Sequence, residues 1–457
     1  MKYLYACCFL CTALFAFGQV KVASHPLAFK KSKEYQQVVA VANSNNDDVF
    51  AFASDKEKIT ILHYNAFLFF KDSMVSARPN LGYRKNVGYS FGTDENPTLY
   101  WSDDSFKNIA AVHYDMVSKQ VATQYFRLPL ERESVLYVAN ENNTFYILTE
   151  KKGVDALVLY VFKDRKKMQY LLDFSGFEFF NQKKEPLSVS MILSVLPLEK
   201  IDTRTFNPLF KATSKSKFYI RKDDILFTFD HNATETHLFQ LDFKSNQLLE
   251  RKISQLSLKG ACTSSNSYYH ENKLYQIAAN PEELHFGSKD FESEVLLQDF
   301  NVTKNDTISF KNSPLWSHTE NQAPKIVKNT AKFLKQFSAS SVGVSVYKTP
   351  QVYFITIGGS RVIEDFATQY SQNNGGFETE LNWLSSNVYF ESLFDKYGNH
   401  STSRPAPLAI DFMNRFSYEH PEAIFQSTFR HKKYFIYAYY DSKLKQFVMR
   451  KFYDGVK

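Results

Sequence analysis

The stretch 49–64, VFAFASDKEKITILHY, decides the fold of this chain. Val49–Ala53 and Ile59–Tyr64 are apolar segments of strand length, rich in aromatic and β-branched residues. The polar segment Asp55–Lys58 between them has the composition of a turn. The stretch therefore predicts a β-hairpin.

The same pattern, an apolar or aromatic residue directly before an aromatic one, recurs at intervals of 46 to 81 residues. The second residues of these doublets are Phe50, Tyr100, Tyr146, Phe227, Tyr275, Phe354 and Phe435. Another strand precedes several doublets, as at Gln37–Val41, and a further strand follows the hairpin, as at 120–125. Four antiparallel strands that repeat every 40–50 residues or so are typical of β-propeller blades.

Seven doublets predict an all-β chain that folds as a β-propeller of about seven four-stranded blades, or six, with short helices in insertions. We expect a single propeller domain over residues 19–457. The long intervals between doublets place insertions near 176–214, 303–337 and 360–430. A β-sandwich, or several small β domains, is the alternative fold.

The insertions carry the helical signal. Lys325–Phe337 follows Pro324 and has apolar residues roughly on one side, so it predicts a helix whose lysine-rich side faces solvent. A second short helix is predicted at Leu408–Phe416. Tyr370–Gly376, which contains Asn373-Asn374-Gly375, is the most loop-like stretch.

Closure of the propeller requires the two chain ends to meet in one sheet. Strands near Val20–Ala23 and Gln446–Met449 could supply that pairing.

Composition narrows the class of protein. Aromatic residues make up 16% of the chain, which favours strands. Glycine accounts for 15 of 457 residues, which argues against enzymes built on Gly-rich phosphate loops. The formal net charge of +7 is mild and dispersed, so nucleic acid is not expected as a partner.

Export is predicted by the first eighteen residues. Lys2 precedes the apolar run Tyr3–Phe17, and Ala16 and Gly18 supply the small residues of a signal-peptide cleavage site. The run is too short to span a bilayer, so we expect a signal peptide at 1–18 and no transmembrane segment in the mature chain.

Of the four cysteines only Cys262 lies outside that segment. The mature chain can therefore form neither an intramolecular disulfide nor a cysteine-based zinc site. We interpret Cys262 as a buried, inert thiol, since no base lies near it in sequence.

Motifs that carry chemistry are missing from the sequence, which contains no zinc-binding His-Glu-x-x-His, no Gly-x-Ser-x-Gly elbow and no phosphate or calcium loop. His231 and His237 lie on either side of a turn, where we expect solvated hairpin histidines. His63 and His113 occupy matching places near the exposed end of a strand, which indicates a recurring blade position.

Charged clusters next to strand ends are explained by turns. They comprise Asp47-Asp48, Asp103-Asp104, Asp223-Asp224, Asp395–Asn399 and the basic hairpin tip Lys163–Lys167. We therefore predict no catalytic, cofactor-binding or metal-binding residue, and no cofactor; the sequence does not identify the residues that bind a partner.

The signal end Phe17-Gly18-Gln19, the Asn-, Lys- and Phe-rich composition and the run Asn301–Asn312 resemble exported Bacteroidota proteins of unassigned function with a β-propeller-like repeat. The resemblance implies a bacterial source and a cell-envelope location, and assigns no active site. Because the chain ends in what looks like a blade strand, Phe447–Tyr453, we expect it in the periplasm or at the outer membrane, with release from the cell as the alternative.

These observations predict a non-catalytic interaction scaffold of the envelope that binds a protein or a glycan through loops on one propeller face. The alternative is a propeller hydrolase or lyase that acts on a polysaccharide or peptide. A lipid carrier with an aromatic cavity is a third hypothesis.

Overall fold

A computed structural model describes residues 19–29, 35–320, 322–371 and 376–455, with only the backbone described for residues 19 and 363–383. The predicted signal peptide at 1–18 lies outside the described residues. The chain divides into two compact units, Met1–Leu171 with Ala406–Lys457, and Leu172–Pro405. Each unit is described by itself.

The first unit contains four antiparallel sheets of four strands each. Its N-terminal strands are β1 (Gln19–Pro26), β2 (Gln37–Ala42), β3 (Val49–Ser54), β4 (Lys58–Tyr64), β5 (Phe70–Ala77), β6 (Lys85–Phe91), β7 (Pro97–Ser102), β8 (Asn108–Tyr114), β9 (Val121–Arg127), β10 (Glu133–Glu141), β11 (Thr144–Lys151), β12 (Ala156–Lys163) and β13 (Lys166–Asp173). Strands β2–β5, β6–β9 and β10–β13 form three consecutive meanders.

The described residues of the second unit form sheets of five, four and five strands, a separate pair of short strands and three helices. Its elements are β14 (Phe179–Phe180), β15 (Pro186–Leu187), α1 (Val189–Val195), β16 (Leu198–Lys200), α2 (Leu209–Ala212), β17 (Ser216–Ile220), β18 (Asp224–Phe229), β19 (Glu235–Asp242), β20 (Leu248–Ser254), β21 (Ser264–His270), β22 (Lys273–Ala279), β23 (Glu283–Asp290), β24 (Leu296–Thr303), β25 (Trp316–Thr319), β26 (Lys325–Ile326), α3 (Thr330–Ser338), β27 (Ser341–Lys348), β28 (Tyr353–Ser371) and β29 (Gly376–Phe394). The sheet orders are β16-β17-β18-β19-β20, β21-β22-β23-β24 and β26-β25-β29-β28-β27, with β14 and β15 paired separately.

The chain then returns to the first unit through α4 (Ala409–Glu419), β30 (Ala423–His431), β31 (Tyr434–Asp441) and β32 (Gln446–Phe452). The fourth sheet of that unit has the order β1-β32-β31-β30. Strand β1 pairs antiparallel with β32, from Gln19 opposite Phe452 to Pro26 opposite Gln446. The predicted pairing of the two chain ends is confirmed.

Seven sheets of four or five strands are thus found among the described residues, and the fold is a multi-blade β-propeller, as predicted. Every aromatic residue that defined the repeat lies in the second strand of its meander, namely in β3, β7, β11, β18, β22, β28 or β31. The doublets do not share one register, because Phe50 is the second residue of β3 whereas Tyr100 is the fourth of β7. Both faces of these strands are buried, so either residue of a doublet can pack inside, and both Leu99 and Tyr100 are fully buried.

The helix predicted at Lys325–Phe337 is wrong in its first half. Lys325 and Ile326 form β26, and α3 begins only at Thr330. The Asn329 Oδ1 accepts a hydrogen bond from the Lys332 N–H at 3.0 Å, and this cap fixes the start of the helix better than Pro324 could. The helix predicted at Leu408–Phe416 is confirmed as α4, which extends to Glu419.

The loop predicted at Tyr370–Gly376 is wrong at both ends. Tyr370 and Ser371 belong to β28 and Gly376 to β29, with Ser371 opposite Gly376. The ladder of β28 and β29 is 19 residues long on each side, and backbone pairing over that length overrides weak local strand propensity. Asn373, Asn374 and Gly375 lie outside the described residues.

The aromatic repeat residues should carry a large share of the stability. Phe227 in β18 is fully buried, so Phe227→Ala is expected to lower the free energy of unfolding by about 3–5 kcal/mol. Phe210, 61% exposed in the same unit, gives the matched control Phe210→Ala, with a change of about 0.5 kcal/mol or less. Urea unfolding followed by circular dichroism measures both, and equal losses would contradict the burial assignment.

Candidate functional site

The segment after β24 forms an open groove in the second unit, with a volume of about 750 Å³. Its walls are residues 304–307, 311–315 and 326–330. The groove lies within the stretch near 303–337 where the sequence placed an insertion. None of its residues was singled out as a binding residue from the sequence.

Hydrogen bonds hold both ends of the 304–315 wall. At one end, Asp306 Oδ2 accepts from the Thr303 N–H at 2.8 Å and from its hydroxyl at 2.7 Å. At the other end, the Asn312 amide donates to the Ser401 carbonyl at 2.6 Å and accepts from the Leu393 N–H at 2.7 Å. These bonds give the groove a fixed shape.

The floor of the groove is apolar. Leu315 and Val327 are buried in the core of the second unit, and the Val327 N–H donates to the Leu315 carbonyl at 2.7 Å. An apolar floor with polar walls is the usual composition of a ligand site.

The walls carry a surplus of positive charge. Lys304, Lys311 and Lys328 line the groove, whose single carboxylate is that of Asp306. The hydrogen bond from the Thr303 side chain lowers the pKa of Asp306, which therefore stays ionised as part of its turn. Lys304 also pairs with Glu282 at 2.6 Å. This positive charge could have been found from the sequence, because residues 301–338 contain six lysines and only two acidic residues.

A smaller cavity of about 270 Å³ has Thr303 and His285 in its lining. The ring Nδ1 of His285 is 2.8 Å from the Ser257 carbonyl, and Nε2 is 2.5 Å from Asp299 Oδ1. Because a carbonyl, and not a hydroxyl, faces Nδ1, this arrangement does not activate a nucleophile.

His285 belongs to a recurring arrangement in which a histidine on the third strand of a meander meets a carboxylate. His63 lies between Asp48 at 2.8 Å and Asp72 at 2.9 Å. His113 is 3.1 Å from Asp94. The predicted equivalence of His63 and His113 is confirmed, because each is the next-to-last residue of its strand. Their predicted exposure is wrong, since both are buried.

The expectation of solvated histidines at 231 and 237 is also wrong for His237, which is 1% exposed. Its Nε2 is 2.6 Å from Glu250 Oε1, and its ring packs on Phe179 and Phe239. Burial lowers the pKa of His237 to about 4, so the ring is neutral and its Nε2–H donates to Glu250. The rings of His231 and His237 are 5.9 Å apart.

The aspartate doublets form turn and ion-pair contacts. Asp103 accepts from the Ser105 hydroxyl at 2.9 Å, and Asp104 lies 3.1 Å from Arg84. Asp223 lies 3.5 Å from Lys244. Asp48 differs from the others because its carboxylate holds His63.

None of the remaining sequence candidates is among the residues that line the groove. Asp395 Oδ1 accepts from the Tyr397 and Asn399 N–H groups, so it closes a turn. Asp164 and Arg165 connect β12 and β13 as the predicted hairpin tip. Cys262 is half-buried, in contrast to the buried thiol expected, and its Sγ lies 3.4 Å from the Ser264 carbonyl.

A buried polar network that the sequence did not indicate surrounds Lys217 in the second unit. The Lys217 ammonium is fully buried, donates to Asn266 Oδ1 and lies 3.6 Å from Asp230 Oδ2. Asp230 also accepts from Ser267, from Thr236 at 2.8 Å and from Gln255 at 2.9 Å. Burial lowers the pKa of Lys217 from its usual 10.5 to about 8, although the charge of Asp230 opposes the shift.

Among the described residues, no group of three or more His, Cys, Asp or Glu side chains is arranged to hold a metal ion. Within the same part of the chain, no helix has the length and apolar character needed to cross a membrane.

The lowered pKa of Lys217 makes stability depend on pH. Between pH 8 and 10.5 the unfolded chain binds more protons than the folded one, so stability rises with pH, by up to about 3 kcal/mol for this group. Lys217→Met should remove that rise and leave Asp230 its other donors, whereas the exposed control Lys222→Met should keep it. Urea midpoints across this pH range measure the difference, and an unchanged slope in Lys217→Met would refute the assignment.

Comparison with known proteins identifies no family. No protein-family model matches the chain, and no curated protein matches it. Similar solved structures include the WD40 domain of SCAP from fission yeast, with 8% identity over 95% of this chain and 98% of that one and a TM-score of 0.33. The β-propeller domain of Vanderwaltozyma polyspora Nup133 has 10% identity over 95% and 97%, with a TM-score of 0.32.

A further similar structure is the Dos1 propeller, with 9% identity over 82% of this chain and 95% of that chain and a TM-score of 0.29. Because these TM-scores are low, the assignment of β-propeller blades rests on the sheets observed in this chain.

Proposed function

We propose that this protein is a non-catalytic interaction scaffold of the cell envelope that binds an anionic partner, a protein or a glycan, in the groove of residues 304–330. The observation that carries the proposal is the combination of an apolar floor with lysine-lined walls. The groove volume of about 750 Å³ falls in the range of specific ligand sites, about 300–1,000 Å³.

The charges of the groove favour carboxylate, sulfate or phosphate groups on the partner. Lys311 and Lys328 have no ion-pair partner in the part of the chain that the structure describes, so their charges are available to a ligand. Lysine presents a flexible point charge, which suits anionic groups that vary in spacing along an acidic peptide or glycan. Because the groove is open to solvent, the attraction should weaken with salt.

The residue types on the walls support binding over catalysis. The fourteen lining residues include neither histidine nor cysteine, and the Asp306 carboxylate is engaged by Thr303. The amide, hydroxyl and ammonium groups that remain can donate hydrogen bonds to a partner. They form no pair of nucleophile and base.

The envelope location is proposed from the sequence. A signal peptide at 1–18 and a mature chain left with one cysteine fit an exported protein that is held together by core burial. We place the protein in the periplasm or at the outer membrane, and its bacterial source is proposed from the resemblance to Bacteroidota proteins.

Binding can be tested with two anionic probes, heparin for sulfated glycans and poly-glutamate for acidic proteins. The protein is expected to bind one of them by isothermal titration calorimetry, more weakly at higher ionic strength. The variant Lys311→Gln/Lys328→Gln should lose about tenfold in affinity, because each exposed charge contributes up to about 1 kcal/mol.

The matched control is Lys222→Gln/Lys244→Gln, which removes the same charge from exposed sites of the same unit. Equal weakening in the control would show that net charge and not the groove is responsible. If neither probe binds, or if the protein turns over substrates in a panel of glycans and peptides, the scaffold proposal is wrong.

A further inference from the structure

Two neighbouring hairpin tips of the first unit expose large apolar side chains. Phe67 and Phe69, between β4 and β5, are 72% and 70% exposed, and Val117, between β8 and β9, is 91% exposed. We call Phe67, Phe69 and Val117 the hairpin-tip surface. Single exposed apolar residues are common, but adjacent tips that both present them suggest an interaction surface.

The exposure of Phe67 and Phe69 is built into the turn. Asn65 Oδ1 accepts from the Phe67 N–H at 2.9 Å and from the Phe69 N–H at 3.1 Å. Leu68 between them has a φ of 68° and is buried in the core. The turn therefore sends one apolar side chain inward and holds its two neighbours in solvent.

The second tip also has a turn that exposes one apolar side chain and buries its neighbour, and hydrogen bonds connect it to the first hairpin. Asp115 Oδ1 accepts from the Val117 N–H at 2.9 Å, while Met116 is buried. The Lys119 ammonium crosses to the first hairpin, where it donates to Asp72 Oδ2 at 2.7 Å and to the Ser73 carbonyl at 3.2 Å. The two tips thus form one fixed surface.

The charges around this surface leave a cation beside the aromatic rings. Asp48 lies between His63 and Lys71, and Asp72 between His63 and Lys119. Hydrogen bonds from Lys119 and His63 outweigh the effect of burial and lower the pKa of Asp72. The carboxylates of Asp48 and Asp72 are thus paired with lysines of the protein, whereas Asp115 keeps a negative charge in the second tip.

Lys432 is placed differently. Its ammonium donates to the Ala66 carbonyl at 2.9 Å and lies 4.7 Å from the centre of the Phe67 ring. No carboxylate pairs with it in the described part of the chain, so its charge is available to an external phosphate. A cation at the base of exposed aromatic rings matches the boundary between phospholipid headgroups and acyl chains.

We infer that the hairpin-tip surface docks the first unit onto a phospholipid membrane, with Phe67, Phe69 and Val117 in the acyl boundary and Lys432 at the phosphates. Three side chains at separate tips do not make the patch of about 800 Å² per partner that a stable protein interface buries. A bilayer, in contrast, accepts such side chains individually. This inference does not rest on the groove.

Flotation with phosphatidylcholine vesicles, with and without phosphatidylglycerol, tests the inference. The protein is expected to float with the vesicles, and more strongly with phosphatidylglycerol, because Lys432 meets anionic headgroups. Phe67→Ser/Phe69→Ser should reduce the bound fraction by about tenfold or more, since two aromatic side chains no longer leave water. Lys432→Gln should remove most of the preference for phosphatidylglycerol.

The control Phe180→Ser/Phe210→Ser removes two phenylalanines that are 41% and 61% exposed in the second unit, and it should float as well as the parent protein. Circular dichroism confirms that both double variants are folded. The groove variant Lys311→Gln/Lys328→Gln should also float normally, so failure of the two proposals can be told apart.

In a second measurement, Phe67→Trp should show blue-shifted fluorescence that brominated lipids quench. Membrane docking through the tips is refuted if the parent protein binds neither kind of vesicle. It is equally refuted if Phe67→Ser/Phe69→Ser floats like the parent.

Discussion

The burial of both faces of strands inside the meanders, such as β3, β7 and β11, is the constraint on which this structure depends. A four-stranded meander cannot cover its own faces, so the side chains of each sheet must pack against the next one. In the first unit, Phe50 of the β2–β5 sheet packs on Phe91 of the β6–β9 sheet, with ring centres 5.1 Å apart. Tyr100 of the β6–β9 sheet stacks on Phe145 of the next sheet at 4.8 Å.

The frequency of aromatic residues follows from that packing. Each aromatic side chain buries about 150–250 Å² and fills the space between neighbouring sheets better than a small aliphatic one. With a single cysteine left after the predicted signal peptide, such burial is the main source of stability for the mature chain.

Polar side chains that are buried between the sheets need hydrogen-bonding partners. A buried polar group is costly unless it finds a hydrogen-bonding partner. The recurring histidines meet carboxylates from adjacent strands or loops, as His237 meets Glu250. Glu133 accepts from the Thr149 and Tyr160 hydroxyls in the same way, at 2.6 and 2.9 Å. The sheets thereby provide rigid supports for the loops that form the groove and the hairpin tips.

The sequence predicted what depends on local pattern. Strand positions and the meander order could be inferred because alternation and turn residues are read within a few positions. The pairing of the chain ends was inferred from the closure that a propeller requires. The burial of His63 could not be inferred, since its partners Asp48 and Asp72 come from two other parts of the meander. The groove was missed for a similar reason, because its walls combine 304–315 with 326–330, and the start of α3 was missed because Asn329 outweighed Pro324.

The pairing of β1 with β32 has a consequence for biogenesis. The partners lie more than 400 residues apart in sequence, so the sheet that holds β1 cannot be completed until nearly the whole polypeptide has emerged. Closing a loop of that length is entropically unfavourable and slow, and an unpaired strand edge is prone to aggregate in the meantime. Chaperones that cover the waiting strand edge during synthesis would therefore improve the yield of folded protein.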